Sequence, residues 1–430
     1  HKTQPPWRIM IHFQQLLQVL PSNIEQMAIN CNAFQRARKI KSPLELFKLL
    51  MLYCGLDLSL RACAGKFTET YSAISDEAVK KRLISCADWI KSLLKETLTT
   101  DHNHTEGDLK FIAVDGSTVQ EPGATQTSYR LHLGIDLMDL TLTDAVVTTD
   151  KVGEKLQHYQ LREGYVFVAD RGYSRVQTIM PTVDQGADVI VRYTPNSMPL
   201  YTFNSNNQKL KIDWHQQLIS RSEKNQVIEC YMILGDKRIK GYVHAIAKNT
   251  KVAENERREM MTFAKKNGRK VRAQTLYLTN WMLVFTTIPP QVLSTLQVQN
   301  IYKARWQIEL YIKRLKSLLN IDLLRAKKDG KLAEVYLLGK LLYAVLVEKI
   351  YKQHYFNHGV SLLDKNRNLS PWRLIQDLND QIKYSLLAEY PSFEANLASS
   401  IKSMSERPRK RKLQRFTDDI SMLFRRHQSV

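Results

Sequence analysis

The stretch Ile301-Tyr-Lys-Ala-Arg-Trp-Gln-Ile-Glu-Leu-Tyr-Ile-Lys-Arg-Leu-Lys316 contains no Pro or Gly, and its apolar spacing predicts one helix that continues to Asn320. At about 100° per residue, five polar side chains share an arc of about 80° beside an apolar, core-facing stripe. These five residues are Tyr302, Arg305, Glu309, Lys313 and Lys316. A single carboxylate among groups that contact phosphate indicates a site that handles phosphate and metal ions together.

The charge balance of the whole chain favours a polyanionic partner. The 430 residues contain 63 Lys and Arg against 42 Asp and Glu, which gives a formal net charge of +21. Nucleic acid is the partner that such a surplus most often serves, although a basic protein without a nucleic-acid partner has the same composition.

Cysteine usage and hydropathy bear on the compartment. The five cysteines are an odd number, widely spaced, and form no C-x-x-C pair, which argues against a disulfide framework and against a zinc ribbon. No stretch approaches 18 consecutive apolar residues. These features predict a cytoplasmic protein, which in a bacterium would be associated with the nucleoid.

The first 105 residues are predicted to be helical and to bind DNA. Periodic apolar runs predict helices at 9–20, 43–56 and 78–94, with Pro43 suited to a first helical turn. Residues 59–66 and 75–83 resemble a helix-turn-helix with Ser75 as N-cap and a basic second helix. A plain helical bundle explains the same pattern about equally well.

The pattern changes to α/β after this region. Lys110-Phe-Ile-Ala-Val-Asp115-Gly is a short apolar run that ends in an acid, and Tyr165-Val-Phe-Val-Ala-Asp170 repeats the theme. Further strands are predicted at 129–137, 141–148 and 188–193, with helices at 153–160 and 174–184. This order predicts an α/β fold with a mixed sheet flanked by helices.

A β-rich insertion is predicted to interrupt the α/β unit. Turn residues and alternating patterns predict strands at 226–234, 238–246 and 275–285, and a strongly basic segment, helical or loop-like, at 254–272. We therefore expect five regions. They are a helical DNA-binding region at 1–105, a core at 106–194, the insertion at 195–298, the rest of the core at 299–350, and a helical basic region at 351–430 for DNA binding or dimerisation.

Two acids at strand ends and one on a helix suit two-metal phosphoryl transfer. Carboxylate oxygens are hard ligands for Mg²⁺ or Mn²⁺, and two ions about 4 Å apart can activate the attacking oxygen and stabilise the leaving one. Asp115, Asp170 and Glu309 are the candidates. Their separation alone carries no weight, because a chain of this length contains many such triples.

The contexts of the three acids resemble a known family. Asp115-Gly-Ser, Asp170-Arg-Gly-Tyr and Tyr302-x2-Arg305-x3-Glu309-x6-Lys316 are similar to the three signatures of DDE transposases from bacterial insertion sequences. The branch that they resemble has a β-strand insertion before the final Glu and a Tyr-Arg-Glu-Lys motif, abbreviated YREK. The resemblance covers about residues 106 to 350.

The resemblance implies an RNase H-like core and a homodimer that brings two transposon ends together. It implies cut-and-paste transposition with two Mg²⁺ or Mn²⁺ ions per active site, through a DNA hairpin. Asp115, Asp170 and Glu309 would be the metal ligands. Tyr302, Arg305 and Lys316 would grip phosphates and the terminal nucleotides, and helical geometry adds Lys313.

Two further residues are DNA-binding candidates. Trp281 matches a Trp that relatives use to hold a flipped base, and its alternative is a core Trp in a strand. For Arg171, a phosphate contact and a structural salt bridge remain equally open. Trp306 and Tyr311 are expected to pack in the core.

Two other functions remain open at this point. One is a DNA-binding relative without catalysis, either domesticated or decayed. The other is a nuclease of the same fold that does not transpose.

Overall fold

The computed structural model describes residues 13–99, 109–219, 225–328, 330–353 and 370–387. The helices are α1 Phe13–Gln18, α2 Ile24–Asn30, α3 Pro43–Cys54, α4 Leu60–Thr70, α5 Asp76–Ile84, α6 Ala87–Thr99, α7 Val176–Asp184, α8 Trp214–Ile219, α9 Thr250–Lys266, α10 Ala273–Leu278, α11 Thr295–Ala304, α12 Trp306–Leu319, α13 Lys331–Tyr351 and α14 Pro371–Leu387. The strands are β1 Lys110–Gln120, β2 Thr127–Asp136, β3 Leu142–Thr149, β4 Tyr165–Ala169, β5 Asp188–Arg192, β6 Tyr201–Phe203, β7 Lys209–Lys211, β8 Asn225–Leu234, β9 Lys237–Ala247 and β10 Trp281–Thr286.

The N-terminal helices begin at the caps that their sequence predicts. Ser42 accepts a hydrogen bond from the Glu45 amide ahead of Pro43, and Ser75 caps α5 in the same way. The predicted helix at 78–94 is in fact two helices, since α5 ends at Ile84 and α6 begins at Ala87. These helices share one apolar core with one side of the sheet and with α13.

A single mixed sheet forms the centre of the described chain. Its ten strands follow the order β3-β2-β1-β4-β5-β10-β9-β8-β6-β7. β1, β4 and β5 are parallel neighbours, whereas β2, β3 and β10 run antiparallel to the strands beside them. The predicted mixed α/β architecture with flanking helices is therefore confirmed.

The strands between 195 and 298 extend this sheet. β10 pairs with β5 and β9, and β9 pairs with β8, so these strands continue the ladder of β1, β4 and β5. A second apolar core packs α7, β5 and the strands β8 to β10 on the other side of the sheet. The basic segment forms α9 and a following turn, in which Gly268 has a φ of 62°.

The stretch at 301–320 is not the one helix that its spacing predicts. α11 ends at Ala304 and α12 begins at Trp306, with Arg305 capping both. The Arg305 amide donates to Tyr302 O at 3.2 Å, and the Ile308 amide donates to Arg305 O at 3.1 Å. These bonds span three residues rather than four and tighten the turn. The break has no sequence signal, because neither Pro nor Gly marks it.

Two further local predictions were wrong. The helix predicted at 153–160 is a single 3-10 turn, Leu156–His158, and the strand predicted at 275–285 is helix α10 followed by β10. Apolar periodicity does not distinguish such short helical segments from strands or longer helices. Of the basic region predicted at 351–430, only residues 351–353 and 370–387 lie within the described residues.

Candidate active site

The strand register brings Asp115 and Asp170 to the same place in the sheet. The parallel pairing of β1 with β4 ends at Ala113 opposite Val168. Two residues further along this register lie Asp115 and Asp170, on strands that are about 4.8 Å apart. Asp115 lies inside β1 rather than at its end, because β1 continues to Gln120 against β2 after β4 has stopped.

Residues at the break between α11 and α12 connect Glu309 to Asp115 and Asp170. The Arg305 guanidinium donates a hydrogen bond to Glu309 Oε1, and its Nη1 lies 3.7 Å from Asp115 Oδ2. Tyr302 Oη donates to Asp170 Oδ1 at 3.2 Å. The turn of chain from Tyr302 to Arg305 therefore contacts all three predicted acids. The side chain of Arg305 is only 11% exposed.

The carboxylates are crowded and partly removed from water. Burial raises the pKa of Asp115 to about 6, and the charges of Glu309 and Glu154 act in the same direction against the Gly116 amide and Arg305. Burial, together with Asp170, raises the pKa of Tyr302 to about 12. Like charges held this close favour a cation among them.

The donor set of this site fits a hard divalent cation. Asp115, Asp170 and Glu309 offer the oxygen atoms that Mg²⁺ and Mn²⁺ prefer. Within the residues described, no three acidic, histidine or cysteine side chains are close enough together to surround one ion. Arg305 instead neutralises Asp115 and Glu309 directly.

The remaining predicted contacts lie around the triad. Lys313 is exposed and Lys316 half-buried, about one and two helical turns beyond Glu309 on the same face of α12. Arg171 is exposed in the 3-10 turn that follows Asp170. Within the part of the chain that the structure describes, no hydrogen bond or ion pair joins these three cations to the acids, so their role in DNA binding stays a prediction.

The two tryptophans are placed differently from each other. Trp281 begins β10 opposite Ala247, is 9% exposed and packs in the second core. The register of β10 with β5 puts it at the sheet edge that also holds Asp170. Trp306 was expected to pack in the core, but it is 45% exposed at the start of α12. Tyr311 is buried, as predicted.

Arg192 is a residue of this edge that the sequence reasoning missed. It ends β5, one position beyond the Val191 that pairs with Ala169, and is 8% exposed. Its side chain makes no hydrogen bond or ion pair with the described part of the chain, and burial followed by Arg171 lowers its pKa. The available sequence signal was a cation at the end of an apolar strand. Asp170 follows the apolar strand β4 in the same way, with the opposite charge.

Lys248 is a second, largely buried cation at the same edge of the sheet. Its side chain is 10% exposed and binds Glu256, and its backbone amide donates to Asn280 O beside Trp281. Burial lowers the pKa of Lys248, and the charge of Arg192 acts in the same direction. The two cations therefore form a basic surface next to Asp170.

The structure thus places two aspartates on adjacent parallel strands of a mixed sheet and a glutamate on a helix beside them, which is the arrangement that the three sequence signatures predict. The chain belongs to the DDE transposase family, because the family described as "Transposase DDE domain" matches residues 106–344, more than half of its length. Enzymes of this family cut and transfer DNA strands and use divalent metal ions.

The relatives are transposases of bacterial insertion sequences. The putative transposase InsL of IS186A from Escherichia coli strain K12 is 29% identical over 338 residues, which cover 77% of this chain and 90% of the relative. The transposase of IS421 from Escherichia coli is 28% identical over 339 residues, covering 77% and 91%. The transposase of IS231F from Bacillus thuringiensis subsp. israelensis is 23% identical over 413 residues, covering 85% and 84%.

The helices give no sign of a membrane-spanning segment. In the ranges that the structure covers, none combines the length and apolar character needed to cross a bilayer.

Proposed function

We propose that this chain is a cut-and-paste transposase of the branch with a β-strand insertion and a Tyr-Arg-Glu-Lys motif. Water attacks the scissile phosphodiester at each transposon end and breaks its P–O3′ bond, which leaves a 3′-OH and a 5′-phosphate. The 3′-OH then attacks a phosphodiester of the opposite strand and displaces the 3′-oxygen of the flanking DNA, which forms a hairpin. A second water breaks the new P–O3′ bond and frees the 3′-OH again. This 3′-OH finally attacks a phosphodiester of the target DNA, joins to its phosphorus and displaces a target 3′-OH.

One observation supports this proposal. Tyr302 and Arg305, the first two residues of the helical signature, contact acids from three separate elements. Asp170 is bonded to Tyr302, and both Asp115 and Glu309 to Arg305. The spacing of the helical signature thus has a structural counterpart, since its tyrosine and arginine contact the acids of the two strand signatures.

The chain's own residues would mainly position the DNA and neutralise its charge. Arg192 is 8% exposed, makes no hydrogen bond or ion pair within the described chain and lies near Asp170, and its guanidinium suits a phosphate oxygen. Arg171 directly follows Asp170, and Lys313 and Lys316 follow Glu309 along α12, all in exposed or half-exposed positions. When bound by the three acids, two Mg²⁺ or Mn²⁺ ions would polarise the phosphate and stabilise the charge that develops on the oxygens.

The proposal extends to the organisation of the chain. Residues 106–194 and 299–350 form an RNase H-like core, and 195–298 form its insertion. Residues 1–105 bind DNA, and 351–430 bind DNA or the second subunit. A homodimer holds two transposon ends with their terminal repeats in one synaptic complex. The sheet order supports the first part, because the strands of 195–298 enter beside β5 and the chain then returns through α11 to the acids.

The test is the substitution Glu309→Gln, which removes a charge and keeps the shape. Cleavage of DNA carrying the cognate ends in Mg²⁺ should vanish while binding of the same DNA survives. Glu334→Gln, on the exposed face of α13, is the matched control and should cleave as the wild-type chain does. Undiminished cleavage by Glu309→Gln would refute the assignment.

The products separate the remaining alternatives. A DNA-binding relative without catalysis gives no cleavage in any divalent metal. A nuclease that does not transpose gives cut ends without joined target DNA. Hairpin ends and strand-transfer products from the wild-type chain are the result that we expect.

A further inference from the structure

A cleft of about 810 Å³ lies between α8, α9 and α10, in the region predicted to be an insertion. Its volume is within the range of about 300 to 1,000 Å³ that is usual for ligand pockets. Tyr193 lines the cleft and directly follows Arg192 at the end of β5, so the cleft begins at the end of the sheet that carries Asp170. Neither Arg192 nor Trp281 is among the described residues that line it, which makes it a feature separate from the candidate active site.

The inner surface of the cleft is aromatic and fixed by packing. Trp214 and Tyr193 are buried, and Trp214 Nε1 donates a hydrogen bond to Tyr193 Oη at 2.8 Å. The ring of His215 packs edge-to-face against Tyr277, with 4.7 Å between the ring centroids. Phe263 of α9 also lines the cleft but is 65% exposed. The cleft therefore offers an apolar, aromatic surface to a ligand.

The outer part of the cleft is positively charged. The cations that line it are Lys211, Arg269, Lys270 and Arg272. All four are exposed, and none has a side-chain hydrogen bond or ion pair within the described chain. Among the described residues that line the cleft, Asp213 is the one acid, and its carboxylate accepts hydrogen bonds from two amides at the start of α8. The charge of the cleft is thus complementary to a polyanion.

We propose that this cleft binds an unpaired segment of DNA strand next to the active site. The phosphates would contact the four cations, and unstacked bases would pack on Phe263 and the aromatic inner surface. The bases of a duplex are stacked on one another, so they cannot pack on aromatic rings inside a cleft. The inference goes beyond the proposed function, because binding here requires neither the three acids nor a metal ion.

The experiment measures binding of a labelled oligothymidylate of about 12 nucleotides to the full chain by fluorescence anisotropy in EDTA. Phe263→Ala should weaken the affinity about 5-fold or more, because a base loses its stacking partner. Phe263→Trp keeps an aromatic surface and should bind at least as tightly as the wild-type chain. Met261→Ala is the matched control, since it removes a side chain of α9 that is 54% exposed outside the cleft, and it should leave the affinity unchanged.

An abasic strand of the same length separates stacking from charge. It carries the same phosphates without bases, so Phe263→Ala should not change its affinity. The slope of log K against log salt for the oligothymidylate should also be unchanged in Phe263→Ala, because a stacking contact releases no counterion. Arg269→Gln should reduce that slope by about 0.7, the value for one phosphate contact with a single strand.

Three results would overturn the inference. One is wild-type affinity of Phe263→Ala for the oligothymidylate. Another is an equal loss of affinity for the abasic strand or for a blunt duplex of the same length, which would make the cleft part of a general DNA surface. The third is displacement of the oligothymidylate by an equal concentration of thymidine monophosphate, which would make the cleft a mononucleotide pocket. These results leave the proposed cleavage untouched, because Glu309→Gln tests cleavage separately with metal present.

Discussion

Replacing each of the two tryptophans near the site by alanine should have different effects on the free energy of unfolding. Trp281 is 9% exposed and packs in the second core, whereas Trp306 is 45% exposed. Trp281→Ala should lower the free energy of unfolding by about 3 to 5 kcal/mol, the usual cost of emptying a buried aromatic site. Trp306→Ala should change it by less than about 1 kcal/mol. Urea denaturation followed by circular dichroism measures both.

Trp281→Phe then separates packing from a role in holding a flipped base. Phenylalanine keeps most of the apolar volume, so this variant should fold and make the first nick. Loss of hairpin formation alone would support the base-holding role, and equal retention of both steps would leave Trp281 with packing only. An unfolding free energy of Trp281→Ala equal to that of the wild-type chain would contradict the burial seen here.

At the scale of elements, α9 and its following turn present a row of cations. Lys265, Lys266 and Lys270 are exposed there, next to Phe263, which is 65% exposed. A cleft of about 810 Å³ adjoins this segment and is also lined by Lys211, His215 and Arg269. Exposed cations with an aromatic among them suit a nucleic-acid strand.

Replacing these three lysines by glutamine should therefore weaken binding of transposon-end DNA. Each phosphate contact that is lost should reduce the slope of log K against log salt by about 1. Fluorescence anisotropy across a salt series measures the slope. The matched control is the same three positions changed to arginine, which keeps the charge and should keep the slope. Equal slopes for the two triple variants would exclude this segment from the DNA interface.

The elements also show how far local patterns reach. The strands β1, β4 and β5 and the caps of α3 and α5 could be predicted, because apolar runs and capping residues act over a few positions. The break at Arg305 could not, because the ion pair of its side chain with Asp115 on β1 is a tertiary contact.

The same distinction between local sequence patterns and tertiary contacts applies to the candidate active site. The proximity of Asp115, Asp170 and Glu309 could be expected from the sequence, because each acid stands in a motif that resembles a signature of a known family. Arg192 could not be recognised as a neighbour of these acids, because its position follows from strand order and register.

At the scale of the whole molecule, Glu348 joins three elements in the buried centre. This residue of α13 accepts a hydrogen bond from Tyr311 Oη of α12 at 2.8 Å and one from the Leu142 amide at the start of β3 at 3.1 Å. Burial raises its pKa from 4.5 to about 7, against the hydrogen bond from Tyr311 and the charge of Lys352, while Asp139 adds to the rise. The folded chain therefore holds a proton here that the unfolded chain releases.

This difference predicts how stability depends on pH. Between about pH 4.5 and 7 the folded state binds more protons at Glu348 than the unfolded state does, so the free energy of unfolding should fall as pH rises through this window. The loss is on the order of 3 kcal/mol at most and levels off above the folded pKa. Glu348→Gln keeps an acceptor for Tyr311 and Leu142 but cannot titrate, so its stability should decline less steeply over the same range. Urea denaturation of both chains at a series of pH values measures the difference, which isolates Glu348 from Asp115, whose raised pKa acts in the same direction in both. Parallel curves for the two chains would show that Glu348 does not carry the effect, and that the junction of α12, α13 and β3 is insensitive to pH.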